Sequence, residues 1–182
     1  MKTVLFSVLA TTSILVGCAN PINRVTSDNY SETCAVAESN GRLKVAEEAC
    51  YRALVNVDLG NLGSELKSER LYNLARIKRQ LAKFAEAEQL LKESLAIQEK
   101  LPIPSEPKIG RRLVELSVSL AAQDKWTEGA KFLERALPIT PQFAGQERAY
   151  TIEVLTLYSK QLKTMNQIVI AEQFETKAAA LK

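Results

Sequence analysis

The chain has 182 residues, with 24 Lys and Arg, 21 Asp and Glu, and no His, which gives a formal net charge of +3. A near-neutral balance with interspersed signs argues against a nucleic-acid-binding surface or a polybasic membrane patch. Without histidine the chain has no Ser-His or Cys-His nucleophile and no imidazole base. Gly and Pro are few and no strand-like alternation is sustained, so the sequence predicts an all-α fold.

The amino terminus has the pattern of an export signal. Lys2 makes a short basic end, and the apolar run at 4–16 is too short to span a bilayer comfortably. The run closes with Leu15-Val16-Gly17-Cys18, which resembles the lipobox of bacterial lipoproteins. The resemblance implies that residues 1–17 are a cleaved signal peptide and that Cys18 carries acyl chains such as palmitate. An ordinary secretory signal cut nearby, or an uncleaved anchor, is the alternative.

The same resemblance implies a location in the cell envelope. Several acyl chains, at about 0.8 kcal/mol per buried methylene, would make attachment to the bilayer practically permanent. Ala19 rather than Asp follows the cysteine, which resembles the signal for export to the outer membrane. The expected location is therefore the periplasmic face of the outer membrane, or the outer face of the cytoplasmic membrane in a Gram-positive host.

The first residues after the cysteine are predicted to form a tether. Residues 18–29 contain Pro21 and little apolar content, and the first helix is predicted to begin near Tyr30. As a flexible coil, the tether would reach on the order of 20 Å.

Two amphipathic helices are predicted to meet at a tight break near Lys83, and their pattern then recurs. Apolar or small residues follow the three-and-four spacing of a helix with one buried stripe. They are Leu71, Leu74, Ala75, Leu81, Phe84, Ala87, Leu91 and Leu95. A shift of 42 residues reproduces most of the pattern, at Leu113, Leu116, Ser117, Trp126, Gly129, Leu133 and Leu137.

This repeated unit resembles the tetratricopeptide repeat, most closely in the run KWTEGAKFLERALPITP at 125–141. Its length and the proline-rich connection LPIPSEPK also resemble the 42-residue variant found in kinesin light chains, a likeness of repeat length only. The resemblance implies a superhelical stack of about four antiparallel helix-turn-helix units within residues 30–182. The predicted units are about 30–57, 64–100, 109–139 and 146–181.

Two positions in the repeat carry further predictions. Trp126 shares its position with Phe84, so packing in the core is favoured over stacking on a ligand. Glu175 stands where Leu91 and Leu133 stand in earlier units, which suits a terminal unit that has no successor to cover it.

The first hairpin carries two cysteines around its turn. Cys34 precedes Gly41 by seven residues and Cys50 follows it by nine, so antiparallel packing places them at nearly the same height on facing helices. Because disulfides persist in an exported chain, we predict a Cys34–Cys50 bond worth about 3 kcal/mol. Two buried free thiols are the alternative. Two cysteines without histidine supply too few soft ligands for zinc, and no metal or cofactor is expected.

No residue pattern in the chain predicts catalysis. The acid pairs Glu47-Glu48 and Glu86-Glu88 are expected on solvated helix faces with Lys and Arg nearby, rather than as a glycosidase dyad. A phosphate-binding loop is also absent, because Gly60 and Gly63 are too few and follow a helix rather than a strand. The chain is therefore predicted not to be an enzyme.

The predicted functional surface is the inner face of the stack, which the first helix of each unit lines. In the resembling family this groove commonly holds an extended peptide or a partner helix. The second unit would contribute Glu69, Tyr72, Asn73, Arg76 and Arg79, the third Val114, Glu115, Val118 and Ala122, and the fourth Thr156, Lys160 and Lys163. A basic rim beside an apolar middle would suit an amphipathic segment with acidic flanks. Each residue taken singly is as consistent with an ordinary solvated position.

The sequence thus predicts a lipid-anchored, periplasm-facing scaffold that binds a protein or peptide partner and no nucleic acid. It looks like the repeat-bearing lipoproteins that act as pilotins for secretins or as adaptors for wall hydrolases. Self-association of the terminal unit into an oligomer is an alternative. An enzyme acting on the cell wall is a third and less favoured hypothesis.

Overall fold

The computed structural model describes residues 20–182, so the predicted signal peptide and Cys18 lie outside the described residues. Within this range the chain forms eight α-helices and no strand. The helices are α1 (Pro21–Ser39), α2 (Leu43–Gly60), α3 (Ser64–Gln80), α4 (Phe84–Glu99), α5 (Glu106–Ala121), α6 (Trp126–Ala136), α7 (Gly145–Thr164) and α8 (Ile168–Ala180). A short 3-10 turn at Thr140–Gln142 lies between α6 and α7.

The helices form four antiparallel pairs. In order, α1 packs against α2, α3 against α4, α5 against α6 and α7 against α8, and each pair contacts the next. We refer to the first helix of each pair as its A helix and to the second as its B helix. The prediction of an all-α stack of about four helical hairpins is confirmed.

The alternating helix directions give the stack two distinct edges. The turns within the pairs lie along one edge. The start of α1 and the connections between pairs, at 61–63, 100–105 and 137–144, lie along the other, which we name the connection edge. No helix in residues 20–182 is both long and apolar enough to cross a membrane.

The predicted tether is wrong beyond its first residues, because α1 already begins at Pro21. Asn20 caps this helix by accepting a hydrogen bond from the Ile22 amide at 3.0 Å, and proline is well suited to the first helical position. Ser27 is buried and donates to the Ala53 carbonyl at 2.9 Å. The Asn-Pro sequence therefore starts a helix, and residues 21–29 belong to the folded stack.

Each turn within a pair has the same backbone conformation. The residue two positions before each B helix has a positive φ: +69° at Gly41, +58° at Ala82, +58° at Asp124 and +59° at Asn166. Glycine, asparagine and aspartate tolerate this left-handed region, whereas alanine pays a steric penalty there. The strain is therefore concentrated at Ala82.

Replacing Ala82 by glycine is expected to raise the free energy of unfolding by about 0.5–1 kcal/mol, because relief of the left-handed penalty exceeds the added chain entropy. Ala82 is exposed, so no packing is lost. Ala85 is a matched control, since it is exposed within α4. Ala85→Gly should instead lower the free energy of unfolding by about 0.5 kcal/mol, since Ala85 lies in the first turn of α4. Urea unfolding followed by circular dichroism measures both, and destabilisation by Ala82→Gly would contradict the assignment.

Small residues allow the B helices to approach their neighbours closely. Ala46, Ala87, Gly129 and Ala171 occupy equivalent positions and are buried. Gly129 is the tightest, because a Cβ atom there would lie 1.9 Å from the Tyr158 hydroxyl oxygen. The main hydrophobic core runs through the second to fourth pairs, where leucines of the A and B helices interdigitate.

Two of the repeat-based predictions are confirmed. Trp126 packs against the core, with its ring edge-to-face on Tyr158 at a centroid distance of 5.2 Å. Glu175 is exposed and forms an ion pair with Lys163 at 2.5 Å, whereas its equivalents Leu91 and Leu133 are fully buried. A charged residue is tolerated at this position because no further unit covers it in the described chain.

The predicted disulfide is present. Cys34 of α1 and Cys50 of α2 are bonded, with their Cα atoms 5.3 Å apart. The remaining buried residues of the first pair are mainly alanines, and larger side chains reach this cluster from α3, at Leu74 and Ile77. The first pair therefore has a small core that depends on the disulfide and on the second pair.

Candidate functional site

The A helices α3, α5 and α7 line an open groove with a cavity volume of about 490 Å³. This volume lies in the range of ordinary ligand sites. The lining residues are Glu69, Tyr72, Asn73, Arg76, Arg79, Arg111, Val114, Glu115, Phe143, Gln146, Glu147, Tyr150 and Thr151. We refer to this surface as the concave groove.

A buried ion pair lies at the centre of the concave groove. The Arg79 Nε donates to the Glu115 carboxylate at 2.7 Å, and the Glu115 side chain is only 7% exposed. Burial alone would lower the pKa of Arg79, but the charge and hydrogen bond of Glu115 outweigh it and raise the pKa. The guanidinium also lies 5.9 Å from the centroid of the Tyr150 ring. Arg79 is thus a fixed cation joining α3, α5 and α7.

Tyr150 contributes a polar atom that the described residues leave unsatisfied. Its hydroxyl oxygen is buried and has no hydrogen-bond partner in this part of the chain. Burial and the charge of Glu115 raise the pKa of Tyr150, so the phenol stays neutral and keeps its proton to donate. A bound group that accepted this hydrogen bond would remove the cost of an unpaired buried donor.

Tyr72 provides a second aromatic surface that arginines hold in place. The guanidinium of Arg76 lies 5.9 Å and that of Arg112 5.0 Å from the centroid of its ring, within the range of cation–π contacts. Burial, followed by the charge of Glu115, raises the pKa of Tyr72 to about 12. The ring is therefore neutral at physiological pH and its position is restrained.

Arg112 supports this surface from beneath. It is buried, and its Nε donates to the Ser94 hydroxyl at 2.7 Å while its Nη1 donates to the Lys108 carbonyl at 2.8 Å. Ser94 in turn donates to the Ser68 carbonyl at 2.6 Å. This network ties α3, α4 and α5 together below Tyr72, so the floor of the concave groove is rigid.

The sequence predicted a basic rim beside the groove, and the structure corrects this prediction. Arg76 donates to Glu38 at 2.5 Å and Arg111 donates to Glu147 at 2.6 Å. With Arg79 on Glu115, each arginine of the groove is paired with a carboxylate of a neighbouring A helix. The groove therefore presents alternating charges around two tyrosines, which suits a partner with both donors and acceptors better than one with uniformly acidic flanks.

The structure brings together most of the predicted groove residues of the second and third units. Glu69, Tyr72, Asn73, Arg76, Arg79, Val114 and Glu115 line the concave groove. Val118 and Ala122 do not; Val118 packs against the core and Ala122 is exposed beyond the end of α5.

The predicted residues of the fourth unit belong to a different cavity. Thr156, Lys160 and Lys163 line a space of about 390 Å³ at the carboxyl-terminal end of the stack, together with Glu175 and Lys182. Successive pairs are rotated relative to one another, so equivalent positions do not stay on one straight line. The concave groove instead crosses α7 near its first turns, at 146–151.

Sequence reasoning missed the residues that complete the groove, which are Arg111, Phe143, Gln146, Glu147, Tyr150 and Thr151. A charge pattern carries part of this information. The ion pairs Lys83–Glu47, Arg79–Glu115 and Arg111–Glu147 all join residues 36 apart and all link consecutive pairs. Opposite charges at this spacing would have indicated that Arg111 and Glu147 face each other.

The acid pairs take part in contacts between units. Glu47 accepts hydrogen bonds from Lys78 and Lys83, and Glu88 accepts them from Lys92, Lys125 and Gln123. These lysines include residues of the following unit, so the carboxylates join consecutive pairs. Residues 20–182 contain no group of three or more Cys, Asp or Glu placed to hold a metal ion.

Glu88 should make stability depend on pH. Burial alone would raise its pKa, but hydrogen bonds from Lys125, Lys92 and Gln123 lower it to about 2. The unfolded value is about 4.3. Because the folded pKa is the lower one, ionised Glu88 stabilises the fold above about pH 4.5, and this contribution is lost as the pH falls towards 2.

The difference in urea midpoint between the wild type and Glu88→Gln is therefore expected to be constant near pH 6 and to shrink steadily between about pH 4.5 and pH 2. Lys125→Met should remove part of the same pH dependence, since it deletes one donor to Glu88. A difference that is equal at pH 3 and pH 6 would contradict the assignment.

The fold and groove define a class of protein, the superhelical stack of helical hairpins that presents a concave surface. Residues 69–101 match a family model described as Tetratricopeptide repeat. Residues 69–101 thus match this repeat, and the fold is a stack of four helical hairpins of the same kind. No curated protein sequence matches the chain.

Solved structures share the fold. A protein from Podosopora anserina, described as a kinesin light chain with nearly identical TPR-like repeats, is 20% identical with a TM-score of 0.64, and the match covers 85% of this chain and 74% of that one. BtubC (BKLC) from P. vanneervenii is 22% identical with a TM-score of 0.72, over 87% of this chain and 64% of that one. The match therefore spans less than two thirds of BtubC. At these identities the likeness shows the fold alone.

Proposed function

We propose that the chain is a lipid-anchored scaffold of the bacterial cell envelope that binds a protein partner in the concave groove. The observation that carries this proposal is the construction of the groove itself. Arginines hold two tyrosines, Tyr72 and Tyr150, and one of these arginines, Arg79, forms a buried ion pair that joins α3 to α5. Such preorganised aromatic and arginine side chains are typical of the residues that dominate binding energy at protein interfaces.

The chemistry of the groove supports binding rather than turnover. The chain lacks histidine, and the groove arginines are paired with carboxylates, so their charges are already committed to holding the A helices together. Asn73 also lines the groove and offers both a donor and an acceptor. An extended peptide or the face of a helix, with polar groups of both kinds, fits this arrangement.

The anchor remains a proposal from the sequence at Cys18. The disulfide between Cys34 and Cys50 supports an exported protein, because such bonds persist in oxidising compartments. An envelope scaffold of this kind would assist the assembly or localisation of its partner, as a pilotin does for a secretin or an adaptor does for a wall hydrolase.

The binding proposal is tested by comparing proteins recovered from solubilised envelopes with the wild type and with groove variants. Tyr72→Ala and Asn73→Ala are expected to reduce recovery of the partner at least about tenfold, since central interface residues often contribute more than 1.4 kcal/mol. Tyr51→Ala is the matched control, because Tyr51 is exposed on α2 outside the groove. Equal recovery with all variants would overturn the groove assignment.

The anchor is tested separately with Cys18→Ala. This variant is expected to leave the membrane fraction and to lose incorporation of labelled acyl chains, since one residue carries both signals. A variant that still fractionates with membranes and still incorporates label would show that the anchor lies elsewhere.

A further inference from the structure

Three strongly exposed apolar side chains lie on the connection edge. Ile22 is 73% exposed in the first turn of α1, Leu59 is 73% exposed in the last turn of α2, and Ile103 is 88% exposed in the connection before α5. A helices begin and B helices end on this edge, so the three side chains lie on the same side of the stack. Single exposed apolar side chains are common on protein surfaces, and the opposite edge also carries one at Val169, so exposure alone does not assign a partner to this edge.

The chain reaches this edge directly from Cys18. The Asn20 amide donates to the Gly60 carbonyl at 3.2 Å, which fixes the chain at the start of α1 to the end of α2. Cys18 precedes Asn20 by two residues, and two residues extend over at most about 7 Å. Any group attached to Cys18 is therefore held close to Ile22 and Leu59.

We infer that the connection edge lies on a lipid bilayer, with Ile22, Leu59 and Ile103 in contact with lipid; this orientation rests on the acylation of Cys18 in the proposed function. Since no long tether separates the anchor from α1, the acyl chains bring this edge to the membrane surface. Asp58 beside Leu59 pairs with Lys67 at 3.0 Å, which reduces the cost of bringing its charge to the interface.

Lipid is favoured over a second copy of the chain because the acylated residue itself carries lipid to this edge. Ile103 is also separated from Ile22 and Leu59 along the edge by the second pair, so the three side chains do not form one patch. Isolated apolar residues that insert into a soft interface match this spacing.

The orientation is tested with the full acylated protein in vesicles of phosphatidylethanolamine and phosphatidylglycerol whose acyl chains carry bromine. Trp126→Phe removes the one native tryptophan, and a single tryptophan then replaces Ile22, Ile103 or Val169. Val169 is the control, since it is 81% exposed in the first turn of α8 on the opposite edge. Bromine quenching of fluorescence at 22 and 103 is expected to be at least about twice that at 169.

Each outcome supports or overturns the proposed orientation on the bilayer. Equal quenching at the three positions overturns the orientation. A blue shift that depends on protein concentration, without quenching, assigns this edge to a second copy and also overturns it. Mass spectrometry of the same sample reads the acylation of Cys18 separately. An acylated protein without quenching overturns the orientation alone, whereas an unacylated protein overturns the anchor and the orientation with it.

Discussion

Replacing Gly129 by alanine is expected to lower the free energy of unfolding by about 3 kcal/mol, because one added methyl overpacks a closely packed contact. The new Cβ would lie 1.9 Å from the Tyr158 hydroxyl oxygen and 3.1 Å from the Ser117 carbonyl oxygen. Tyr158 is fully buried and donates to that carbonyl at 2.6 Å, so its ring cannot move without losing the hydrogen bond. Urea unfolding measures the loss.

A second variant separates this steric cause from a general loss of helix stability. Tyr158→Phe alone should cost about 1 kcal/mol through the lost hydrogen bond. Because it also removes the clashing oxygen, the double variant should cost less than the sum by at least about 1 kcal/mol. One repeat earlier, the same two positions are Ala87 in α4 and Leu116 in α5, so the glycine accompanies the larger side chain. Additive costs would contradict this explanation.

Removing the disulfide is expected to cost about 3 kcal/mol and to loosen the first pair selectively. The buried residues that α1 and α2 contribute there are Cys34, Ala37, Ala46, Ala49 and Cys50, which bury little apolar volume beyond the cystine itself. Stacked units contact only their neighbours, so the later pairs should keep their structure. Hydrogen exchange should accelerate in α1 and α2 in Cys34→Ala/Cys50→Ala, while α5 to α8 stay protected.

The reductant dithiothreitol provides the control for this variant. It should destabilise the wild type to the level of Cys34→Ala/Cys50→Ala and should leave the variant unchanged. Both proteins carry Cys18→Ala, so that a third thiol cannot exchange with the bond. Equal unfolding midpoints with and without reductant would show that the bond adds nothing to stability.

The fold followed from the sequence because repetition amplifies a weak signal. Single positions such as Leu74 or Ala87 say little, but their return after 42 residues at Leu116 and Gly129 indicates one repeated hairpin. The disulfide followed from the same pairing, once Gly41 marked the turn. Local spacing sufficed for both features, since they depend on contacts within one pair.

The sequence did not predict where the first helix starts, because the composition of residues 18–29 is ambiguous. Asn20 and Pro21 are common in linkers and equally common at helix starts. The deciding contacts come from α2, where Gly60 accepts from the Asn20 amide and Ala53 accepts from Ser27. The sequence of residues 18–29 by itself does not show that α2 supplies these partners.

The sequence predicted the concave groove only in part, because the groove depends on how the helix pairs are rotated relative to one another. Tyr72 and Glu115 both line the groove, since α3 and α5 are adjacent. The rotation accumulates over two units. As a result, Thr156 and Lys160 do not line the groove, and the groove crosses α7 at Tyr150 instead. A repeat period fixes which residues are equivalent, but not the angle between units.

The most direct test of the scaffold hypothesis is photo-crosslinking in living cells, with p-benzoylphenylalanine in place of Tyr150 in the groove or of Tyr51 on α2. We expect one dominant protein adduct from position 150, in the envelope fraction, that is absent from position 51. The same adducts from both positions, or adducts only to a second copy of the chain, would contradict partner binding in the concave groove.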